Sequence, residues 1–247
     1  MDITNADIKQ LKDKKYRREN KLFMVEGNKF CYDLLSSDIE IVTTLTSDKT
    51  LKGFPNIEVV SEKMLSSLAT TKTNQSIICI CRIKDYGIES AGNSLILDNL
   101  QDPGNVGTLV RSALAFGFND IYLVEGADPY SEKVIRSSAG LIMNARLHIC
   151  SFEEIKQYKD KIADVFMVAD MSGESINSIK PTKNNVAVIV GNEGQGVSDK
   201  FLNLANKTIS IPMTSKVESL NAGVAGSIIM QKLSELNWGD KNYVRTQ

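Results

Sequence analysis

Three short stretches bring together residue types that can do chemistry on a bound ligand. The first, Asp102-Pro103-Gly104-Asn105, leads into a helical pattern that carries Arg111. The second is Gly191-Asn192-Glu193-Gly194-Gln195-Gly196, directly after the apolar run Val188–Val190. The third runs Ile211-Pro212-Met213 and resumes at Ser219-Leu220-Asn221-Ala222-Gly223. Together they offer a guanidinium, a carboxylate, amides and a hydroxyl, among glycines that let main chain approach a ligand closely. Taken singly, each stretch also fits an ordinary role. The first and third could be capped helices, and the second could pass for a dinucleotide loop. Its glycine order differs from G-x-G-x-x-G, however, and the next strand, Ile209–Ile211, has no acidic residue at its end to hold a ribose.

Other chemistries lack material. His148 is the single histidine, so a zinc site or a Ser-His-Asp triad has almost nothing to build on. Four cysteines, Cys31, Cys79, Cys81 and Cys150, are too few and too scattered for a disulfide framework. Cys79 and Cys81 share one face of a strand and read as small apolar core groups.

These stretches must be positioned by the elements around them. Residues 1 to about 90 read as a small α/β unit. A basic helical segment, Lys9–Lys21, opens it, followed by the apolar run Leu22–Val25 and a helix at Asn28–Leu35. Strands are expected at Ile39–Leu45, Ile57–Val60 and Ile77–Ile83, with a helix at Ser61–Leu68. The polar segment Lys84–Asn93 reads as a linker. Beyond it, strands are expected at Ser94–Asp98, Ile121–Val124, Ala145–Ile149, Asp164–Ala169, Val186–Val190 and Thr208–Ile211. Helices are expected at Val106–Phe116, Glu132–Ile142, Ser151–Lys161, Ser198–Leu204 and Ala222–Leu236. Asn105 is the expected N-cap of the first of these. In that helix Val106, Leu109, Val110, Ala113 and Leu114 share one apolar sector, which leaves Arg111 just outside it. The alternation implies an α/β protein with a parallel or mixed sheet, and the chemical stretches lie beyond strand ends, where such sheets bind ligands.

Composition sets further bounds. A hydrophobic fraction of 42% supports a sizeable core, and the net charge of −1 means that any nucleic-acid contact needs a local basic patch. Lys14, Lys15, Arg17 and Arg18 are the candidate patch. The N-terminus has no apolar stretch of signal-peptide type, and no segment has the apolar length to span a bilayer. A cytoplasmic location, with neither membrane nor metal as partner, is expected.

In this order and spacing, the three stretches closely resemble the SpoU/TrmH family of RNA 2′-O-ribose methyltransferases of the SPOUT class. The matching elements are Asn105 with Arg111, Gly191-x-Glu193-Gly194-x-Gly196, and Ile211-Pro212-Met213 with Ser219-Leu220-Asn221, within residues 94 to 236. The N-terminal part resembles the family's ribosomal-protein-like substrate-binding domain, through Phe23-Met24-Val25-Glu26-Gly27 and Thr71-Lys72-Thr73-Asn74-Gln75-Ser76. The resemblance implies an RNA substrate-binding domain over residues 1–88 and a methyltransferase domain with a trefoil knot over 93–247. It implies S-adenosylmethionine as cofactor, held by Gly191, Gly196, Ile211, Met213, Leu220 and Asn221. It also implies a homodimer acting on structured RNA, rRNA more than tRNA. Arg111 takes the activating role in that picture, with Asn105, Glu193, Ser219 and Asn221 orienting it and the RNA. Because a guanidinium stays protonated in proteins, Arg111 can equally stabilise a developing alkoxide and anchor a phosphate. Departures from the family are small: Ala222-Gly223 stand where Val-Ser is common, and Thr214-Ser215 where a glycine is common. A non-catalytic RNA-binding or assembly factor retaining the fold is the alternative reading.

Overall fold

The computed structural model describes residues 3–70, 76–90, 92–181, 184–216 and 218–238; Thr71–Gln75 of the N-terminal motif lie outside the described residues. The chain divides into two compact units, residues 1–85 with 128–144, and residues 86–127 with 145–247.

The first unit begins with two helices, where a single one was expected. Helix α1 (Asn5–Gln10) is closed by a reciprocal Thr4–Asp7 cap, and α2 (Lys14–Asn20) starts afresh at Asp13. The Asp13 carboxylate accepts the Tyr16 N–H at 2.9 Å. A short acidic side chain competes for backbone N–H groups and so favours a helix start over a helix interior, which divides the Lys9–Lys21 segment. Strand β1 (Leu22–Glu26), helix α3 (Asn28–Leu34), strands β2 (Ile41–Thr46) and β3 (Ile57–Val59), helix α4 (Glu62–Leu68) and strand β4 (Ile77–Arg82) follow. The sheet order is β1-β4-β2-β3, with β4 antiparallel to both neighbours and β3 parallel to β2. One face of β4 sets Ile78 and Ile80 against Ile8, Leu11, Leu65 and Leu68; its other face carries the fully buried Cys79 and Cys81.

The second unit is an all-parallel six-stranded sheet. Strand β5 (Asn93–Asp98), helix α5 (Pro103–Ala115) and strand β6 (Phe118–Val124) open it. The chain then passes into the first unit through α6 (Glu132–Ser137) and a 3-10 turn at Leu141–Asn144. It returns as β7 (Arg146–Cys150), α7 (Phe152–Gln157), α8 (Lys159–Ile162), β8 (Val165–Ser175), β9 (Val186–Val190), α9 (Asp199–Leu204), β10 (Lys207–Ser210) and α10 (Ala222–Trp238). The strand order is β10-β8-β9-β5-β6-β7. Ile96, Tyr122, Phe166 and Ile189 form a core with Ile155, Ile162 and Phe201 from α7, α8 and α9. Helices α5 and α10 pack on each other and on the sheet.

The expected domain division did not include the excursion through residues 128–144. Arg17 and Asp128 form a buried ion pair, the Phe23 and Tyr130 rings lie 4.7 Å apart, and Gly140 abuts Phe30, all within the first unit. The helix expected at Glu132–Ile142 stops at Ser137, because Ala139 and Gly140 adopt φ of 54° and 85°. The segment expected as one helix at Ser151–Lys161 breaks at Tyr158 into α7 and α8. Most of the expected linker is held down in the second unit. The Gly87 carbonyl meets His148 Nδ1 at 2.6 Å, and Ser90 Oγ donates to Asp120 at 3.1 Å.

Candidate functional site

The segments that leave the carboxyl ends of β9 and β10 line one cavity together with Ala169–Met171 of β8, and the loop after β5 braces the β9 loop from outside it. The first loop turns at Asn99, in the left-handed region at φ 53°. Asp102, and not Asn105, is the N-cap of α5; it accepts the Asn105 N–H at 2.8 Å, and Pro103 occupies the first turn, where a missing N–H costs nothing. Asn105 is thereby moved inside the helix and buried, with its amide free for another partner.

That partner is Glu193. Its carboxylate accepts from Asn105 Nδ2 at 3.0 Å, from the Asp102 N–H at 2.9 Å and from the Gln101 N–H at 3.3 Å. Partial burial pushes the Glu193 carboxyl up, but the bonds from Asn105, Asp102 and Gln101 outweigh it and hold the group below the usual carboxylate range. Glu193 therefore ties the β9 loop to the start of α5.

The β9 loop is closed on itself. Asn192 and Gly196 exchange two backbone hydrogen bonds of 2.9 Å, and Asn192 Oδ1 accepts the N–H groups of Gly194 and Gln195 at 2.9 and 3.1 Å. A Cβ at Gly191 would lie 2.3 Å from the backbone of Gly196 and Val197, so only glycine permits this closure. Gly196 sits at φ 73°.

At the third loop, Asn221 is the cap of α10, accepting the Val224 N–H at 3.2 Å. The small residues after it serve contact between helices. A Cβ at Gly226 would come within 2.4 Å of Leu109, and one at Gly223 within 3.2 Å of Asn105 Oδ1. The Ser227 and Ser112 hydroxyls, 2.7 Å apart, pin α10 to α5 next to Arg111.

The resulting cavity has a volume of about 590 Å³, in the range of small-molecule sites. Gly191, Gly196, Glu193, Ile211, Met213, Ser219, Leu220 and Asn221 all line it, so the structure gathers the residues expected to hold the cofactor around one space. Asp170, Asn192 and Gln195 line it too. Sequence reasoning assigned these no role: Asp170 lies just beyond the strand expected at Asp164–Ala169 with no motif around it, whereas Asn192 had a signal in its place between Gly191 and Gly194. Apolar walls from Ile211, Met213 and Leu220, open main chain at the glycine loop, and the Asp170 carboxylate suit a ligand that is part heteroaromatic and part cationic, as S-adenosylmethionine is.

Asn105 and Arg111 do not line the cavity. Asn105 reaches it through Glu193, and Arg111 is exposed on α5, its side chain forming no hydrogen bond or ion pair with any other described residue. The basic patch needs one correction. Arg17 is buried, with Nε donating to Asp128 at 2.7 Å and Nη1 donating to the Leu11 carbonyl, so it cannot reach a phosphate. Lys15 and Arg18 are exposed, Lys14 is half-buried, and Lys15 lies 3.8 Å from Glu19. Among the described residues no group of His, Cys, Asp and Glu could hold a metal ion, and no helix is long and apolar enough to cross a membrane.

Comparison with known proteins agrees with this geometry. The sequence model of the SpoU rRNA Methylase family matches residues 92–231, and that of the MRM3-like substrate binding domain matches residues 6–79. The chain is 31% identical to the 23S rRNA (guanosine(2553)-2′-O)-methyltransferase RlmP of Bacillus subtilis, over 92% of this chain and 94% of that one. An AdoMet-bound rRNA methyltransferase from Sinorhizobium meliloti superposes with a TM-score of 0.81 at 26% identity, covering 93% of both chains. The AdoMet complex of the SpoU methyltransferase AviRb from Streptomyces viridochromogenes shares the fold, with a TM-score of 0.82 at 19% identity over 95% of this chain and 97% of that one. A loop cluster that needs glycine at Gly191, a carboxylate clamp at Glu193 and matches spanning both units lead to one conclusion: the chain belongs to the SpoU rRNA methylase family and is an S-adenosylmethionine-dependent RNA 2′-O-methyltransferase.

Proposed function

We propose that this enzyme methylates one ribose 2′-hydroxyl of ribosomal RNA, acting in the cytoplasm as a homodimer, with Arg111 as the residue that activates the acceptor. The observation that carries the reading is the exposed guanidinium of Arg111, unpaired among the described residues, on a helix tied to the β9 loop through Glu193 and to α10 through Ser112. When bound, S-adenosylmethionine supplies an electrophilic methyl group on a sulfonium. The chain's own task is to hold the acceptor oxygen in line with that methyl and to keep water away from it.

A ribose hydroxyl is a weak nucleophile, and negative charge builds on its oxygen only as its proton passes to water. A fixed guanidinium beside that oxygen stabilises the growing charge, and its planar fork can also grip the adjacent phosphate. Asn105 and Glu193 set the start of α5 and therefore the direction of Arg111. Ser219 and Asn221, at the mouth of the cavity, are the polar groups available to the nucleotide. Main chain at Gly191, Gly196, Ile211 and Leu220, with Met213 and Asn221, would hold the cofactor. The placement of β8 between β9 and β10, with α10 returning to pack on β9, supports a knotted path for the last third of the chain.

The 2′-hydroxyl distinguishes RNA from DNA, and the MRM3-like unit supports an RNA partner. Ribosomal RNA is favoured over tRNA because the Bacillus subtilis relative is a 23S rRNA enzyme. In the first unit Lys14, Lys15 and Arg18 remain as phosphate contacts. The test is methyl transfer from labelled S-adenosylmethionine to ribosomal RNA, and to ribosomal particles, that lack the modification, followed by nucleoside analysis. Labelled 2′-O-methyl nucleoside that disappears with Arg111→Ala is the expected result. Label appearing in tRNA alone, or on a base, would overturn the proposal.

A further inference from the structure

We propose that Asp98 is a positioning residue for cofactor binding: from outside the cavity it holds the exit of the glycine loop in its ligand-ready form. The inference rests on the cavity being the S-adenosylmethionine site. Asp98 is the last residue of β5, and its side chain is buried. Its Oδ2 accepts the Ser198 N–H at 2.7 Å, across 100 residues of chain. Ser198 is the N-cap of α9, yet its own side chain makes no capping bond. The carboxylate of Asp98 therefore fixes that end of the β9 loop.

The entrance of the same loop is tied to the next residue of β5's exit. Asn192 Nδ2 donates to the Asn99 carbonyl at 3.0 Å. Asp98 and Asn99 thus grip both ends of the segment 192–198, and Glu193 fastens its tip to Asp102 and Asn105. The Asn192–Gly196 bonds and the close approach of Gly191 to Gly196 and Val197 join the two ends to each other, so a shift at one end is passed to the other. At the exit, Gly196 sits at positive φ with open space where a Cβ would be. Ser198 is bonded through its N–H to Asp98 and through its carbonyl to α9. Without Asp98 the Ser198 end of the loop loses its tie to β5, and a ligand that contacts Gly191 and Gly196 must then restore the order of that end at the expense of affinity.

Asp98 is buried and does not line the cavity, so its removal should separate binding from turnover. Calorimetric titration of the full chain with S-adenosylhomocysteine reads the first. Asp98→Ala is expected to weaken binding about tenfold, whereas Asp98→Asn, which keeps an acceptor oxygen, stays within about threefold. In steady-state assays on RNA the KM for S-adenosylmethionine rises in parallel, while kcat at saturating donor and the KM for RNA change less than about twofold. Ser198→Pro deletes the donor instead, at a residue whose φ of −66° already suits proline, and reads the same bond should Asp98→Ala fail to fold. Wild-type affinity in either folded variant, or kcat and RNA KM worsening together with donor KM, would overturn the proposal. Failure of the wild-type chain to bind S-adenosylhomocysteine would instead overturn the cofactor site itself.

Discussion

The two ends of the six-stranded sheet use polar residues in opposite ways. At the carboxyl end, Asp98, Asn192 and Glu193 spend their side chains on backbone N–H and C=O groups of neighbouring loops and on Asn105, and leave a cavity between those loops. Toward the amino end, Asp120, Arg146, His148 and Ser90 spend theirs on one another and on the strap Tyr86–Ser90, and close the structure. Asp120 Oδ1 lies 3.0 Å from His148 Nε2 and 3.0 Å from Arg146 Nε, while its Oδ2 takes the Ser90 hydroxyl. The His148 ring stacks on Tyr122 at 4.4 Å between centroids, and its Nδ1 meets the Gly87 carbonyl. Function and stability divide accordingly: at the carboxyl end polar side chains hold main chain in place around a cavity, whereas toward the amino end buried side chains bond one another and fasten the chain.

Substitutions at either end test this contrast. The largest effect is expected from Arg111→Ala. Turnover should fall about 10³-fold, in line with loss of one preorganised charge-stabilising donor, with S-adenosylhomocysteine affinity retained in calorimetry. Next is Asp120→Ala at the other end. Leaving Arg146 and His148 without their buried partner should cost about 3 kcal/mol in urea unfolding, while the folded fraction binds cofactor as tightly as before. A loss of cofactor affinity in that variant would mean the two ends are coupled, and the division drawn above would fall.

A smaller effect separates the two kinds of arginine in the first unit. Charge reversal at Lys14, Lys15 and Arg18 should weaken RNA binding about tenfold and reduce its salt dependence, as expected when phosphate contacts are lost. Arg17→Met should lower stability and leave the salt dependence unchanged, since Arg17 already belongs to Asp128. Equal effects on the salt slope would restore Arg17 to the patch. The smallest effect concerns pH. Glu193 is held below its ordinary value when folded, so its contribution is present above the unfolded value, which is about 4.3. That contribution fades only as pH falls through the lowered one. Cofactor affinity measured against pH should therefore hold through the ordinary carboxylate range, and Glu193→Gln should remove that acid limb.

Much of the site could be read in the chain because its signals are local. Gly191, Gly196 and the Ile211–Met213 turn lie within a few residues of the strands they leave, and backbone geometry restricts what can stand there. The cap of α5 was read three residues late. Asp102, Gly104 and Asn105 all favour a helix start, and what settled the choice was Glu193, 88 residues from Asn105, claiming its amide. Arg17 looked like its neighbours Lys14, Lys15 and Arg18, and nothing within a helical turn distinguishes it. Asp128, 111 residues away, does.

Sequence alone determined the alternation of strands and helices, the glycine loops and the residue types at the cavity, since these follow from φ/ψ limits, capping and apolar periodicity over a few residues. Tertiary structure alone decided the strand order β10-β8-β9-β5-β6-β7, the excursion of residues 128–144 into the first unit, and which arginine is bound in a buried ion pair. Those depend on pairings between distant segments, and the Asp128 carboxylate that makes Arg17 structural stands far from it in the chain.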